Sequence, residues 1–171
     1  VDIQGIARAF WKNVKVGKIA QGGSTLTQQL TRNLFLTPEK TYSRKLLEAV
    51  MALYLELRFS KKEILELYLT RIYFGQNGKT SIFGLARAAK EYFKKEPADL
   101  TLPECALLAG ILRAPNFYSP WLYRERARER RDLVLALMRE QNFINANEEQ
   151  KAKKHSLSLP QFKHFTSEMD Y

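Results

Sequence analysis

Two stretches of the chain hold residues whose types and spacing could do chemistry. The first centres on Glu48. From residue 46 to residue 57 every position is apolar or aromatic except Glu48 and Glu56, so Glu48 belongs to a helix that must pack on most of its circumference. An ionised carboxylate in such a place costs on the order of several kcal/mol unless it is paired or opens onto a cleft. Arg44 lies one helical turn earlier on the same face and is the obvious partner. Read from the residues alone, a buried structural ion pair and a functional carboxylate weigh about equally. The second stretch is Gln21-Gly22-Gly23-Ser24-Thr25-Leu26-Thr27-Gln28-Gln29-Leu30-Thr31-Arg32-Asn33. It crowds hydroxyls, amides and a guanidinium onto the start of a helix, behind glycines that let a ligand approach the backbone. A helix N-terminus with such groups suits a phosphate oxygen. An ordinary N-cap on a solvated helix competes with that reading, and on physics alone it is the commoner case.

The elements that must position these residues read as helices. Ile3, Ile6, Ala7, Phe10, Trp11 and Val14 form one apolar stripe beside Arg8, Lys12 and Lys15, the pattern of an amphipathic first helix. Gly17 and the Gly22-Gly23 pair break it, and Ser24 is the expected N-cap of a short polar helix from Thr25 to about Leu34. After Thr37-Pro38 a long helix is expected over residues 42–59, running through the domain centre. Ser60-Lys61-Lys62-Glu63 has the capping-box form and opens the next helix, expected to end near Phe74-Gly75. A loop over residues 75–80 then leads to a helix over 81–93. Thr101-Leu102-Pro103-Glu104 is a second capping-box form, opening an apolar helix through Ile111. Pro115 and Pro120 bracket an aromatic loop. Residues 124–141 read as a charged surface helix with Leu133, Leu135, Leu137 and Met138 inward, and residues 147–154 as a last polar helix. No strand alternation stands out, so the expected fold class is all-α.

A chain of 171 residues, 45% hydrophobic and 27% charged, has the size of one globular domain. Its formal charge of +10 should attract an anion: nucleic acid, acidic lipid headgroups or a phosphorylated substrate. Against nucleic acid, the basic residues of 124–139 are interleaved with Glu125, Glu129 and Asp132, as on a solvated helix face. The single cysteine, Cys105, sits in an apolar run and is expected to be a small buried hydrophobe. No window approaches the roughly 20 apolar residues of a spanning helix.

The string Gly22-Gly23-Ser24-Thr25-Leu26-Thr27-Gln28-Gln29-Leu30 is followed by Arg44-Lys45 with Glu48, by Ile64-Leu65-Glu66-Leu67-Tyr68-Leu69, and by Arg131 with Val134-Leu135 and Met138. In this order the motifs resemble those of the family 51 glycosyltransferases, the lipid II polymerases of class A penicillin-binding proteins and monofunctional transglycosylases. Gly84, Ala88-Ala89 and Tyr92-Phe93 also look like the family's pattern. The resemblance covers nearly the whole chain, and it implies a lysozyme-like helical domain with a smaller membrane-facing jaw. About residues 1–36 would supply the jaw and the edge of the donor site, about 37–155 the main lobe, and 156–171 a tail or linker. Phe10 and Trp11 among cations fit an interfacial helix or, almost equally, a core-packed one.

What the resemblance implies chemically is the joining of disaccharide-peptide units held on polyprenyl diphosphates, with inversion, by attack of an acceptor 4-hydroxyl on the donor's anomeric carbon. Glu48 matches the family's second catalytic Glu. Ser24, Thr25, Gln28, Gln29, Arg32, Asn33, Arg44 and Lys45 match positions of the phosphate and sugar subsites. No cofactor is required, with room for a divalent cation (Mg2+ or Mn2+) at the diphosphate. The implied partners are lipid II, the growing glycan strand on its polyprenyl diphosphate, the membrane surface and phosphoglycolipid inhibitors of the moenomycin type, with no nucleic acid. The implied place is the outer side of the bacterial cytoplasmic membrane. The family's general base is a Glu in an early EDxxFxxHxG motif; the chain is read as N-terminally truncated, with that motif expected just before Val1-Asp2-Ile3. Arg32 stands where Lys is usual, which keeps the charge and changes the hydrogen-bond geometry. Thr70 and Asp132 stand where Asn is usual.

Overall fold

A computed structural model of the chain describes residues 25–35, 41–156 and 159. The expected first helix, with Phe10 and Trp11, and Ser24 lie outside the described residues. The described chain forms seven α-helices, a 3-10 turn and one hairpin: α1 (Leu26–Phe35), α2 (Tyr42–Arg58), α3 (Lys61–Arg71), β1 (Tyr73–Asn77), β2 (Thr80–Phe83), α4 (Leu85–Phe93), the 3-10 turn Pro97–Asp99, α5 (Leu102–Ile111), α6 (Arg124–Glu140) and α7 (Ala146–Lys154). They fall into two compact units, Val1–Arg71 and Ile72–Tyr171.

In the first unit α1 packs on both α2 and α3. Helix α1 is capped by Thr25, one residue later than expected. The Gln28 amide donates to Thr25 Oγ1 at 3.3 Å, and the Thr25 amide donates back to Gln28 Oε1 at 3.3 Å, a capping box with Gln in place of Glu. Thr41 caps α2 by accepting from the Arg44 amide at 3.2 Å. The Ser60–Glu63 box forms as read, with the Ser60 amide donating to Glu63 Oε2 at 2.8 Å. Helix α2 departs from expectation. Its buried residues are Glu48, Ala52 and Leu55, one face, whereas Leu46, Val50, Leu53 and Leu57 on the opposite side are exposed. Within its unit the helix is packed on one side and is not enclosed.

The second unit holds the main correction to the all-α reading. Helix α3 stops at Arg71, and residues 73–83, expected to be a helix end, a loop and a helix start, form an antiparallel hairpin. Tyr73, Phe74, Ile82 and Phe83 are strand-favouring types. Asn77 pairs with Thr80 across a two-residue turn, and Gly78 at its first position has φ 62°, a conformation glycine adopts without strain. The alternation was hidden by Gly75, where the register shifts. Tyr92 on α4 locks the hairpin: its hydroxyl donates to the Phe74 carbonyl at 2.8 Å and its ring stacks on Trp121 at 4.2 Å. Burial pushes the Tyr92 hydroxyl pKa upward, and Tyr73 adds to the effect.

Helices α5, α6 and α7 pack through Ala106, Leu135 and Ala152, with Leu102, Val134 and Ile144 around them. Of the four residues expected inward on α6, Leu135 is buried and Met138 half-buried, whereas Leu133 and Leu137 are exposed; Ala127 and Arg131 are the helix's other buried residues. Cys105 is also exposed, because α5 turns Ala106, Leu107, Leu108 and Ile111 inward and leaves Cys105 on its outer side. Helix α5 opens with the capping box read from sequence. The Thr101 amide donates to Glu104 Oε2 at 2.8 Å, and Lys95 Nζ reaches both Glu104 oxygens at 2.9 Å.

Burial alone would raise the Glu104 pKa, but the bonds from Thr101 and Lys95 outweigh it and hold the carboxyl below its ordinary 4.5. A carboxyl depressed on folding contributes stability above its unfolded pKa, and that contribution is lost as pH falls through the lower folded value. Acidification from neutral to below 4.5 should therefore lower the unfolding midpoint, and Glu104→Gln should flatten that part of the profile. Thr101→Ala should cost about 1 kcal/mol at neutral pH. Urea titrations at several pH values measure both, and an unchanged acid limb in Glu104→Gln would remove Glu104 from the account.

Candidate functional site

The first unit brings the two chemically suggestive stretches together. Thr31 is fully buried, and its hydroxyl lies 2.9 Å from the Gln28 carbonyl of its own helix and 3.3 Å from the Glu48 carbonyl of α2. Thr27 donates to Glu56 Oε1 at 2.8 Å. These two threonines, one turn apart on the inner face of α1, set its register against α2. The site therefore begins as a packing problem: a helix rich in polar residues is bonded to a helix rich in apolar ones at the two places where α2 carries a carboxylate.

Glu48 has 0% of its surface exposed. Lys45 Nζ, from the preceding turn of α2, makes an ion pair with Glu48 Oε1. The sequence reading placed that role on Arg44; the structure puts it on Lys45, at i,i+3. Almost half of the Lys45 side chain is exposed, so the pair is asymmetric: the carboxylate is interior and the ammonium reaches the surface. Arg44 is half-buried in the first turn of α2.

The remaining sequence-selected residues divide by helix face. Gln28 points inward, 2% exposed, with its side chain used in the α1 cap. Thr25 is the other half of that cap. Gln29 and Arg32 are half-buried and Asn33 is exposed; at i, i+3 and i+4 they share the outer face of α1. Tyr68 on α3 was not selected from sequence. Its hydroxyl donates to Gln29 Oε1 at 3.4 Å. Burial raises the Tyr68 pKa, and the Arg32 charge pulls it partly back. The signal that could have found Tyr68 is its spacing from Ile64, since these two are the buried residues of α3. Thr31 carried no signal beyond membership of the polar string.

Chemically, the outer face of α1 presents an amide and a guanidinium, and the surface end of the Lys45–Glu48 pair presents an ammonium. Such groups bind oxyanions by charge-assisted hydrogen bonds. A divalent cation with phosphate ligands is held through one or two carboxylates, and Glu48 could supply one. Among the described residues no group of three or more His, Cys, Asp or Glu side chains gathers as a metal site. No described helix is long and apolar enough to cross a membrane.

Most of the chain matches known proteins. The Transglycosylase family matches residues 1–139. Penicillin-binding protein 1B of Vibrio cholerae is 47% identical over 154 residues, which is 90% of this chain and 20% of that protein. Penicillin-binding protein 1F of Bacillus subtilis is 42% identical over 159 residues, 93% of this chain and 22% of that protein. The chain thus spans about a fifth of the length of these relatives. Among solved structures, the crystal structure of penicillin-binding protein 1A from Haemophilus influenzae matches with a TM-score of 0.53 and 29% identity, covering 81% of this chain and 17% of that one.

Removing the Thr31 hydroxyl tests the register argument directly. Thr31→Val keeps the shape and removes the one hydroxyl proton that the Gln28 and Glu48 carbonyls share, and should destabilise the chain by about 1 kcal/mol. Thr31→Ser should recover most of the loss. Denaturant midpoints decide it, and equal stability of all three chains would mean that the hydroxyl does not hold α1 on α2.

Proposed function

Because this chain belongs to the Transglycosylase family, as the transglycosylase domain of class A penicillin-binding proteins, we propose that it polymerises lipid II into β-1,4-linked glycan strands. The observation that carries the reading is the fully buried Glu48 paired with a surface-reaching Lys45, on a helix to which the Thr25–Asn33 string is bonded.

In this reading the oxygen of the acceptor 4-hydroxyl forms a bond to the donor's anomeric carbon. The bond to the lipid diphosphate breaks, its electron pair leaves with the diphosphate, and the sugar centre inverts. Negative charge develops on the departing oxygen, and cations fixed in advance near it lower the barrier. Arg32, Arg44 and Lys45 are the cations assigned to the diphosphate, with Ser24, Gln29 and Asn33 as hydrogen-bonding neighbours. Thr25 and Gln28, bonded to each other in the cap, act by shaping the start of α1. Glu48 has no exposed surface, so it acts through Lys45, holding the ammonium in one position. A divalent cation, where one is used, would neutralise charge at the diphosphate, and could reach Glu48 only by displacing the Lys45 ammonium. The hydroxyl proton goes to a base assigned to the EDxxFxxHxG motif, which does not occur in residues 1–171.

The proposed architecture is the lysozyme-like one, with the jaw built from about residues 1–36 and lying on the outer face of the bacterial cytoplasmic membrane. The mostly helical described chain with its small hairpin and the match to the 1A crystal structure support the helical domain of this reading; the jaw is carried by the family resemblance.

In a chain extended upstream through that motif, Glu48→Gln should cut polymerisation by roughly 100-fold or more with helix content unchanged. A folded variant with near-normal turnover would reduce the Lys45–Glu48 pair to a structural role. Residues 1–171 alone should bind a moenomycin-type phosphoglycolipid in calorimetry, and Arg32→Ala with Arg44→Ala should weaken that binding. Preference for duplex DNA over the phosphoglycolipid would contradict the assignment.

A further inference from the structure

In the second unit a cavity of about 290 Å³ lies between the start of α6 and the end of α7, lined among others by Arg124, Arg128, Lys153, Lys154 and His155. We propose that this cleft is a binding site for a phosphoryl oxyanion, separate from the Glu48 region.

The charges around the cleft are not equally available. Arg131 lies at its base, 2% exposed, and is fully used: Nε donates to Asp132 at 2.8 Å, while Nη1 and Nη2 donate to the His155 and Lys153 carbonyls at 3.1 and 3.0 Å. It closes the C-terminal end of α7 and neutralises the partial negative charge there. Lys153 is held by Glu149 at 2.5 Å. Arg128 lies 4.0 Å from Glu125, with both side chains mostly exposed, so that pairing is weak. Glu125 is the one carboxylate in the wall. Arg124 and Lys154 have no carboxylate within ion-pair distance among the described residues and face the same cavity.

Two further features favour an anion over an apolar ligand. The cleft sits at the N-terminal end of the 17-residue α6, whose cap residue Tyr123 makes no side-chain capping bond, so the positive end of the helix dipole adds to the cations. The volume is at the lower edge of the roughly 300–1,000 Å³ usual for small-molecule pockets, room for a phosphoryl group and its waters. Guanidinium groups such as those of Arg124 and Arg128 match phosphate oxygens in pairs. The phosphoryl group could be carried by a soluble phosphate or by an anionic phospholipid headgroup.

The test titrates the 15N-labelled chain with inorganic pyrophosphate, following the amides of residues 124–128 and 153–156, beside sedimentation with phosphatidylglycerol or phosphatidylcholine vesicles. Arg124→Glu with Lys154→Gln removes the two available cations, and glutamate in a first helical turn suits the dipole. The exposed pair Arg87→Glu with Arg113→Gln is the charge-matched control. The cleft variant should bind roughly tenfold more weakly, a change of about 1.4 kcal/mol, while the control binds as the parent. A loss confined to pyrophosphate identifies a soluble source; a loss of phosphatidylglycerol binding identifies a headgroup. Equal weakening by the control, or no shift at the cleft amides with either probe, overturns the site. Shifts are read only at residues 124–128 and 153–156, and vesicle binding only as the difference between the cleft variant and its control. Pyrophosphate or membrane contact elsewhere therefore does not enter the outcome, and failure of the polymerase reading is distinguished from failure of this site.

Discussion

The constraint on which the first unit depends is the burial of a carboxylate in the mostly apolar middle of a helix. Glu48 has no exposed surface, and its ion pair with Lys45 offsets a desolvation cost that would otherwise be comparable to the stability of a whole domain. Everything packed around it follows from keeping that pair in place. Thr31 bonds the backbone of the same residue, Thr27 bonds the other carboxylate two turns along the helix, and between them α1 is held in a single register. A polar helix on an apolar one is an unfavourable combination in general. Here Thr27, Gln28 and Thr31, which α1 turns inward, each have a hydrogen-bond partner.

The same economy explains how the polar string divides its labour. Its inward residues, Thr27, Gln28 and Thr31, are spent on caps and interhelical bonds. Its outward residues, Gln29, Arg32 and Asn33, are left on the face where a ligand can reach them. A helix with period 3.6 cannot turn all its polar side chains the same way, so a string this dense in hydroxyls and amides must serve architecture and surface together. The second unit repeats the logic with Arg131: a buried guanidinium satisfied by two carbonyls and a carboxylate fixes α7 against α6 and leaves the neighbouring cations to face solvent.

How much of this was legible in sequence depended on the range of the interaction. Local signals read well: the Ser60–Glu63 and Thr101–Glu104 boxes, and α2, α5, α6 and α7 to within a residue or two, because caps and helical periodicity are properties of a few neighbouring residues. The hairpin was missed because Gly75 interrupts its alternation at the register shift, leaving too few alternating positions to outweigh a helical reading. Glu48 was singled out correctly as a costly residue, yet its partner was misplaced by one residue. At i,i+3 and i,i+4 the geometry allows either cation, and rotamers, which composition does not encode, decide between them.

The long apolar run of α2 illustrates a limit of a different kind. Apolar residues on every side of a helix suit both faces to packing, but do not show that each face is covered or by which element. The face bearing Glu48, Ala52 and Leu55 meets α1, and the opposite face bearing Leu46, Val50, Leu53 and Leu57 is exposed. Enclosure was therefore the wrong deduction from a correct observation. What the structure does establish is that the carboxylate of the pair lies on the packed side of the helix. The low-dielectric environment that strengthens Lys45–Glu48 is thus supplied by α1, the helix that also carries the outward amide and guanidinium. Loosening the α1–α2 contact would weaken the ion pair and displace those groups in a single event, which makes register, more than any individual charge, the property that the site has to preserve.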